Sequence, residues 1–146
     1  MRPRELVEYA LNLLLAKNMS AFAGLWAEDG VLEFPFAQPG YPSRLDGRAA
    51  IHEYLRDYPA IVDIRAITRQ QVHETTDPDV VIAEFAVDGV AVRTGRPYRL
   101  SYIAVVTVRD NEIRHYRDYW SPLAAAEALG GTDELMAAFA SGGSDA

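Results

Sequence analysis

From Ile61 to Trp120 the chain alternates apolar and polar residues at the two-residue period of a β-strand, with three interruptions rich in turn formers. The runs are Ile61–Glu74, Val80–Val92, Tyr98–Arg109 and Ile113–Trp120; the joints are Thr76-Asp-Pro-Asp79, Thr94-Gly-Arg-Pro97 and Asp110-Asn-Glu112. Joints this short close hairpins, so the four runs are expected to form a long antiparallel meander. Everything else in the chain must pack on that sheet.

What precedes the meander is mostly helical. A first helix begins at Pro3, a position the first turn tolerates, and carries Leu6, Tyr9/Ala10, Leu13 and Leu14 at helical spacing. Asn18 stops it, and Ser20 is expected to cap a short second helix through Leu25 and Trp26. Asp29-Gly30 turns into a strand from Val31 to Phe36, which Pro35 marks as an edge. Residues 37–47, with Tyr41, form the longest loop, either a lid over a pocket or a plain connection. A third helix runs from Arg48 to Tyr58 and ends before Pro59. After the meander come a short helix over 123–129, closed by Gly130-Gly131, a helical piece around Asp133–Phe139, and a Gly/Ser tail expected to fray.

Helices first and a meander last is the order of an α+β domain. The expected form is a cone: a curved, mostly antiparallel sheet covered by three N-terminal helices, with an internal pocket. One domain is expected over residues 1–131, with 132–146 as a helical extension and flexible tail. The runs 80–92 and 98–109 are apolar on both parities, which calls for a second cover on the outer face of the sheet. A second copy of the chain is the simplest cover, so a homodimer through that face is expected.

Charge and composition remove several function classes. The net charge is −7 and the basic residues are scattered, so the positive stripe that nucleic acid requires is absent. There is no cysteine, which excludes disulfides, thiolate nucleophiles and Cys-based metal sites. His52, His73 and His115 lack ligand spacing, and no phosphate loop, dinucleotide fingerprint or nucleophile elbow occurs; no metal and no cofactor are expected. The apolar runs fall short of a membrane span, and residues 1–17 carry charges that a signal peptide would not, so a cytoplasmic protein is expected.

The segment Ile113-Arg-His-Tyr-Arg-Asp-Tyr-Trp-Ser-Pro122 carries the chemistry. At strand period Tyr116, Asp118 and Trp120 share one face, and His115, Arg117 and Tyr119 the other. A carboxylate between two aromatics can be desolvated, its pKa raised, and used as a general acid or base near neutral pH. The alternative is a solvated or salt-bridged strand residue. If Asp118 faces inward, parity brings with it Leu32, Phe34 and Phe36 from the first strand, and Leu100, Tyr102 and Ala104 from the fourth. The third helix adds Ile51, Tyr54, Leu55 and Tyr58, and the first adds Ala10, Leu13 and Leu14. Asp118, Tyr102, Tyr116 and Tyr54 are then the candidate catalytic groups. Trp120, Phe34, Phe36, Leu100, Tyr58 and Trp26 are the candidate substrate contacts. Such a lining suits a hydrophobic, flat or polycyclic small molecule, unless the aromatics simply fill the core. Glu84, in an apolar run, is expected either at the dimer interface paired with Arg93 or Arg99, or in the pocket as a second acid.

Three motifs, Leu25-Trp-Ala-Glu-Asp-Gly30, Gly47-Arg-Ala-Ala-Ile51 and Asn111-Glu-Ile-Arg114 followed by Tyr119-Trp120, resemble the nuclear transport factor 2-like superfamily. That is the cone fold of ketosteroid isomerase, scytalone dehydratase and the SnoaL-like polyketide cyclases. Within it, Thr75-Thr-Asp-Pro78, Glu84, Tyr98 and Arg117-Asp-Tyr-Trp120 are similar to the phenazine-biosynthesis A/B proteins and their SnoaL-like relatives. In that family a last-strand Glu is the acid/base; Asp118 stands at the matching position, one methylene shorter, and Tyr54 stands where the family has a helix histidine. The ketosteroid isomerase apparatus falls on Phe34, Ala104 and Ala10, which cannot perform it. The resemblance implies a cofactor-free isomerase, cyclase or dehydratase acting on an apolar carbonyl compound. Its rivals are a ligand-binding or dimeric accessory protein, and an interaction module with a filled core.

Overall fold

The computed structural model describes residues 1–143. Helix α1 (Pro3–Leu15) and α2 (Met19–Ala23) lead into strand β1 (Trp26–Glu33) and the short β2 (Arg44–Asp46). Helices α3 (Arg48–Leu55) and α4 (Tyr58–Ile61) follow, then β3 (Val62–Glu74), β4 (Val80–Ala91), β5 (Pro97–Arg109) and β6 (Glu112–Tyr119). Helices α5 (Pro122–Leu129) and α6 (Thr132–Gly143) come last. The architecture is the expected α+β, with a mostly antiparallel six-stranded sheet in the order β2-β1-β6-β5-β4-β3. The β1–β6 pair is parallel and the others antiparallel. The sheet is open: β2 and β3 are its edges.

The local reasons are plain in α1. Pro3 opens it, the Arg2 amide donates to Glu5 Oε1 at 3.0 Å, and Leu6, Val7, Ala10, Leu11, Leu13 and Leu14 form its buried stripe. The β5–β6 turn places Asp110 and Asn111 at positive φ (55° and 63°), as a tight hairpin of the primed type requires. Curvature comes from register breaks in β3, between Ile64 and Ala66 and between Ile67 and Arg69, and from another in the β5–β6 pairing. That last break changes parity inside β6, so Ile113 and Tyr116, three apart, are both buried.

Several sequence expectations are corrected. The cap of α2 is Asn18, whose Oδ1 accepts from the Ala21 amide at 3.1 Å, not Ser20, and the helix stops at Ala23. Trp26 therefore opens β1, eight residues long, which lies between β2 and β6 and is not an edge. The edge is β2, hidden in the loop 37–47 because three residues carry no readable period. Pro59 does not end the third helix; the chain re-starts at Tyr58 as α4 with Pro59 in its first turn. The C-terminal helix continues through Gly143, and residues 144–146 of the expected tail lie outside the described residues. The cover of the inner face is also larger than three helices, since α5 lies on β5 and α6 on α3. Among the described residues, no helix is long and apolar enough to cross a membrane.

Candidate active site

The inner face of the curved sheet and the helices enclose a hollow lined by Leu14, Phe22, Trp26, Leu32, Phe34, Tyr41, Tyr54, Leu55, Tyr58, Phe85, Tyr98, Tyr102, Tyr116, Asp118, Trp120, Ala125 and Leu135. Among the described residues Asp118 is the one carboxylate in that lining. It lies on β6 opposite Ala104 of β5, a residue small enough to leave the acid room. Its Oδ1 is sealed from solvent and has no hydrogen-bond partner among the described residues, although the residue as a whole retains some exposure. Burial alone raises the Asp118 carboxyl from the ordinary carboxylate range to about 7. Among the described residues Asp118 forms no ion pair.

Tyrosine hydroxyls surround it. Tyr98 and Tyr102, two turns of the pleat apart on β5, hydrogen-bond through their hydroxyls at 2.8 Å, and Tyr58 of α4 hydrogen-bonds to both. The hydroxyls of Tyr41 and Tyr54 are hydrogen-bonded to each other. Tyr116 neighbours Asp118 on the same strand face, about 7 Å along the strand, and its hydroxyl donates to no group among the described residues. Burial pushes the hydroxyls of Tyr54, Tyr98, Tyr102 and Tyr116 well above the usual phenol range, and Tyr58 to about 12. All of them stay neutral at any physiological pH and act only as hydrogen-bond donors or acceptors. The arrangement is thus a lone titrating acid among neutral phenols.

The aromatic packing fixes this lining. Trp120 meets Phe34 and Tyr41 edge-on, with ring centroids 6.3 and 5.5 Å apart, and Phe85 stacks on Tyr102 at 5.0 Å. Trp26, fully buried, tilts against Tyr116 at 5.4 Å, and its indole N–H donates to the Val31 carbonyl at 3.3 Å. The hollow that remains is small, about 70 Å3. Drug-sized ligands occupy roughly 300–1,000 Å3, several times this space.

Of the ten residues singled out from sequence, Asp118, Tyr102, Tyr116, Tyr54, Trp120, Phe34, Tyr58 and Trp26 line the hollow. Leu100 faces inward but is packed into the core without lining it. Phe36 lies outside, 58% exposed, because β1 ends at Glu33 and the turn at Pro35-Phe36 breaks the strand parity. Glu84 is on the outer face, so it is not a second pocket acid, and within the single chain it pairs with no arginine among the described residues. Its Oε1 meets His73 Nε2 at 2.6 Å, while Arg93 is taken by the Leu129 carbonyl and Arg99 by Asp88. Tyr41 and Tyr98 line the hollow but are not among those ten, and neither are Phe22, Phe85, Ala125 and Leu135. Tyr98 shares parity with Leu100 and Tyr102 and was findable; Tyr41, in an irregular loop, carries no periodic signal.

Comparison with known proteins agrees with this geometry. Residues 4–116 match the SnoaL-like domain family. The chain is 46% identical over 119 residues to the uncharacterized protein YesE of Bacillus subtilis, covering 82% of this chain and 81% of that one. It is 41% identical over 133 residues to an uncharacterized PhzA/B-like protein of Pseudomonas aeruginosa, covering 91% and 94%. Among solved structures, a provisionally named isomerase from Bacillus subtilis superposes with a TM-score of 0.83 at 43% identity, covering 90% of this chain and 97% of that one. A provisionally named polyketide cyclase from Pseudomonas putida shares the fold, with a TM-score of 0.76 at 21% identity over 88% and 98% of the chains. An open cone with one acid in an aromatic hollow, and a sequence match over most of its length, lead to one assignment: the chain belongs to the SnoaL-like domain family, within the nuclear transport factor 2-like superfamily.

Proposed function

We propose that the protein is a cofactor-free acid/base enzyme that moves a proton next to the carbonyl of an apolar compound, in an isomerisation, cyclisation or dehydration. The observation that carries this reading is the sealed, unpartnered Oδ1 of Asp118 in a hollow whose other polar groups are neutral phenols. A carboxyl poised near 7 is half ionised at neutral pH, where a general acid/base is most effective. As carboxylate it takes a proton from the carbon beside the carbonyl. The negative charge that develops on the carbonyl oxygen is met by the Tyr116 hydroxyl, with Tyr102 or Tyr54 as further donors. The acid then gives the proton back: to the new carbon in an isomerisation, to the alkoxide formed by C–C bond closure in a cyclisation, or to the departing hydroxyl, which leaves as water, in a dehydration. The polyketide cyclase and isomerase names carried by structural neighbours fit that reaction class.

The test needs no native substrate. Cyclohex-2-enone and 2-tetralone are incubated with the protein in deuterated water, and α-deuterium uptake is followed by proton NMR. Asp118→Asn is expected to lower the protein-dependent rate by about 10²–10⁴-fold, and the wild-type rate should rise through pH 7 as Asp118 ionises. Uptake no faster than buffer for the whole panel, with either ketone still binding, would leave the rival reading, a ligand-binding or accessory protein of the same fold.

A second copy is proposed to cover the outer sheet face. Val80, Ile82 and Val105 stand there half-exposed in the single chain, with Ile82 and Val105 directly opposite each other across β4 and β5.

A further inference from the structure

Tyr41 is the one buried residue between Phe34 and Leu45, and its side chain lines the hollow. The loop that carries it joins β1 to β2 and is pinned at its base, where the Phe34 amide donates to the Ser43 carbonyl at 2.8 Å and the Ala37 amide to the Phe34 carbonyl at 3.0 Å. Phe36, edge-on to Tyr119 outside the hollow, belongs to that base. Beyond it, the Tyr41 amide donates to the Gln38 carbonyl at 3.0 Å, a bond that travels with the loop. Gly40, at φ 91° with open space around it, forms the tip that turns Tyr41 back inward. Tyr41 then ties the loop to the body: its ring stands edge-on to Phe34 at 5.8 Å and to Trp120 at 5.5 Å, and its hydroxyl is hydrogen-bonded to that of Tyr54 on α3.

A flat ring bearing a hydroxyl thus sits in the lining as a ligand would. The Asp118 carboxylate is near enough to oppose ionisation of both Tyr41 and Tyr54, so the space they share adjoins the acid. The hollow, about 70 Å3, is smaller than a ring-bearing reactant requires. Withdrawing Tyr41 merges the space of its ring with the hollow and leaves the sheet and helices in place. The Tyr54 hydroxyl then needs an oxygen where Tyr41 stood, because a hydrogen bond left unmade in an apolar site costs more than a made one returns. A wholly apolar ligand would not supply it.

We propose that Tyr41 is a plug standing in the substrate's place, displaced when residues 37–42 swing outward, and that the substrate is a flat-ring carbonyl compound carrying a ring hydroxyl. Its ring replaces that of Tyr41 against Phe34 and Trp120, its hydroxyl pairs with Tyr54, and its carbonyl end lies at Asp118. This rests on the acid/base reading of the hollow.

The plug is tested by equilibrium dialysis with two probes of one ring system, 2-naphthol and naphthalene, and by millisecond hydrogen exchange. The wild type is expected to bind 2-naphthol about fivefold more tightly than naphthalene, as one net hydrogen bond implies. Tyr54→Phe should abolish that preference. Tyr41→Phe keeps the ring but removes its tether, and should tighten both probes about fivefold. Binding of 2-naphthol to the wild type should speed amide exchange in residues 37–43, the opposite of ordinary protection by a ligand. Asp118→Asn is expected to keep this pattern, so a failed deuterium-uptake test would count against the acid/base step alone. Equal affinities in the wild type, a Tyr41→Phe that binds no better, or exchange in 37–43 unchanged or slowed by 2-naphthol would overturn the proposal. So would a wild type that binds neither probe; binding by Tyr41→Ala alone would make Tyr41 a fixed wall of the hollow.

Discussion

At the scale of single residues, Asp118 couples function to stability. An ordinary aspartate titrates near 3.9, whereas burial holds this one at about 7 in the folded chain. Below about pH 4 the carboxyl is protonated in both states and costs nothing. Between pH 4 and 7 the unfolded chain loses its proton first, so stability falls as pH rises; above 7 the loss is complete, at most about 4 kcal/mol. Asp118→Asn keeps the shape and removes the titration. Urea unfolding at pH 5 and pH 8 should therefore show the wild type losing roughly 1–3 kcal/mol more than the variant across that interval. Equal losses in the two proteins would mean that Asp118 is solvated. The phenol beside it has a separate signature. Tyr116→Phe removes an unpaired donor and breaks no hydrogen bond in the resting protein. It is expected to cut the exchange rate about 10²-fold with little change in melting temperature, whereas a purely structural Tyr116 would show the reverse.

At the scale of elements, the bend of the sheet that makes the hollow depends on close approach between β3 and β4. A Cβ added at Gly89 would stand 2.2 Å from the Asp63 carbonyl oxygen, next to the first register break in β3. Backbone cannot yield as a flexible side chain can, so Gly89→Ala is expected to destabilise the fold by about 1–3 kcal/mol, read as a lowered midpoint in thermal unfolding. The same elements show what a sequence can disclose. The hairpins from β3 to β6 were legible because period-two alternation and turn chemistry agree there, and Asp118 was legible because Tyr116 and Trp120 flank it in phase. The start of β1 was not: Glu28 and Asp29 stand exposed at a break in the β1–β6 register, so the strand reads as a turn. Phe36 was misplaced by carrying strand parity through Pro35, beyond the end of β1. Tyr41 enters the hollow only through tertiary contacts, with Tyr54, Phe34 and Trp120, which no local pattern announces.

For the molecule as a whole, the two faces of the sheet differ in a way that bears on assembly. Along β4 every second residue is buried, from Val81 to Ala91, and the residues between are half-exposed. A surface sheet in a monomer would carry charge at those positions, but Val80, Ile82 and Val105 are apolar, and Ile82 and Val105 are cross-strand partners. His73 lies opposite Ile82 on β3 and Arg117 opposite Val105 on β6, so a polar rim flanks the apolar pair on both sides. An apolar centre within a polar rim is the anatomy of an interface between proteins. A symmetric pair of sheets would bring Ile82 of one copy near Ile82 of the other, so one charge introduced there is doubled across the contact. Light scattering is expected to give twice the chain mass for the wild type and the single mass for Ile82→Asp, with circular dichroism unchanged because the inner core is untouched. A wild type that stays monomeric at high micromolar concentration would remove the dimer and leave the apolar centre without that explanation.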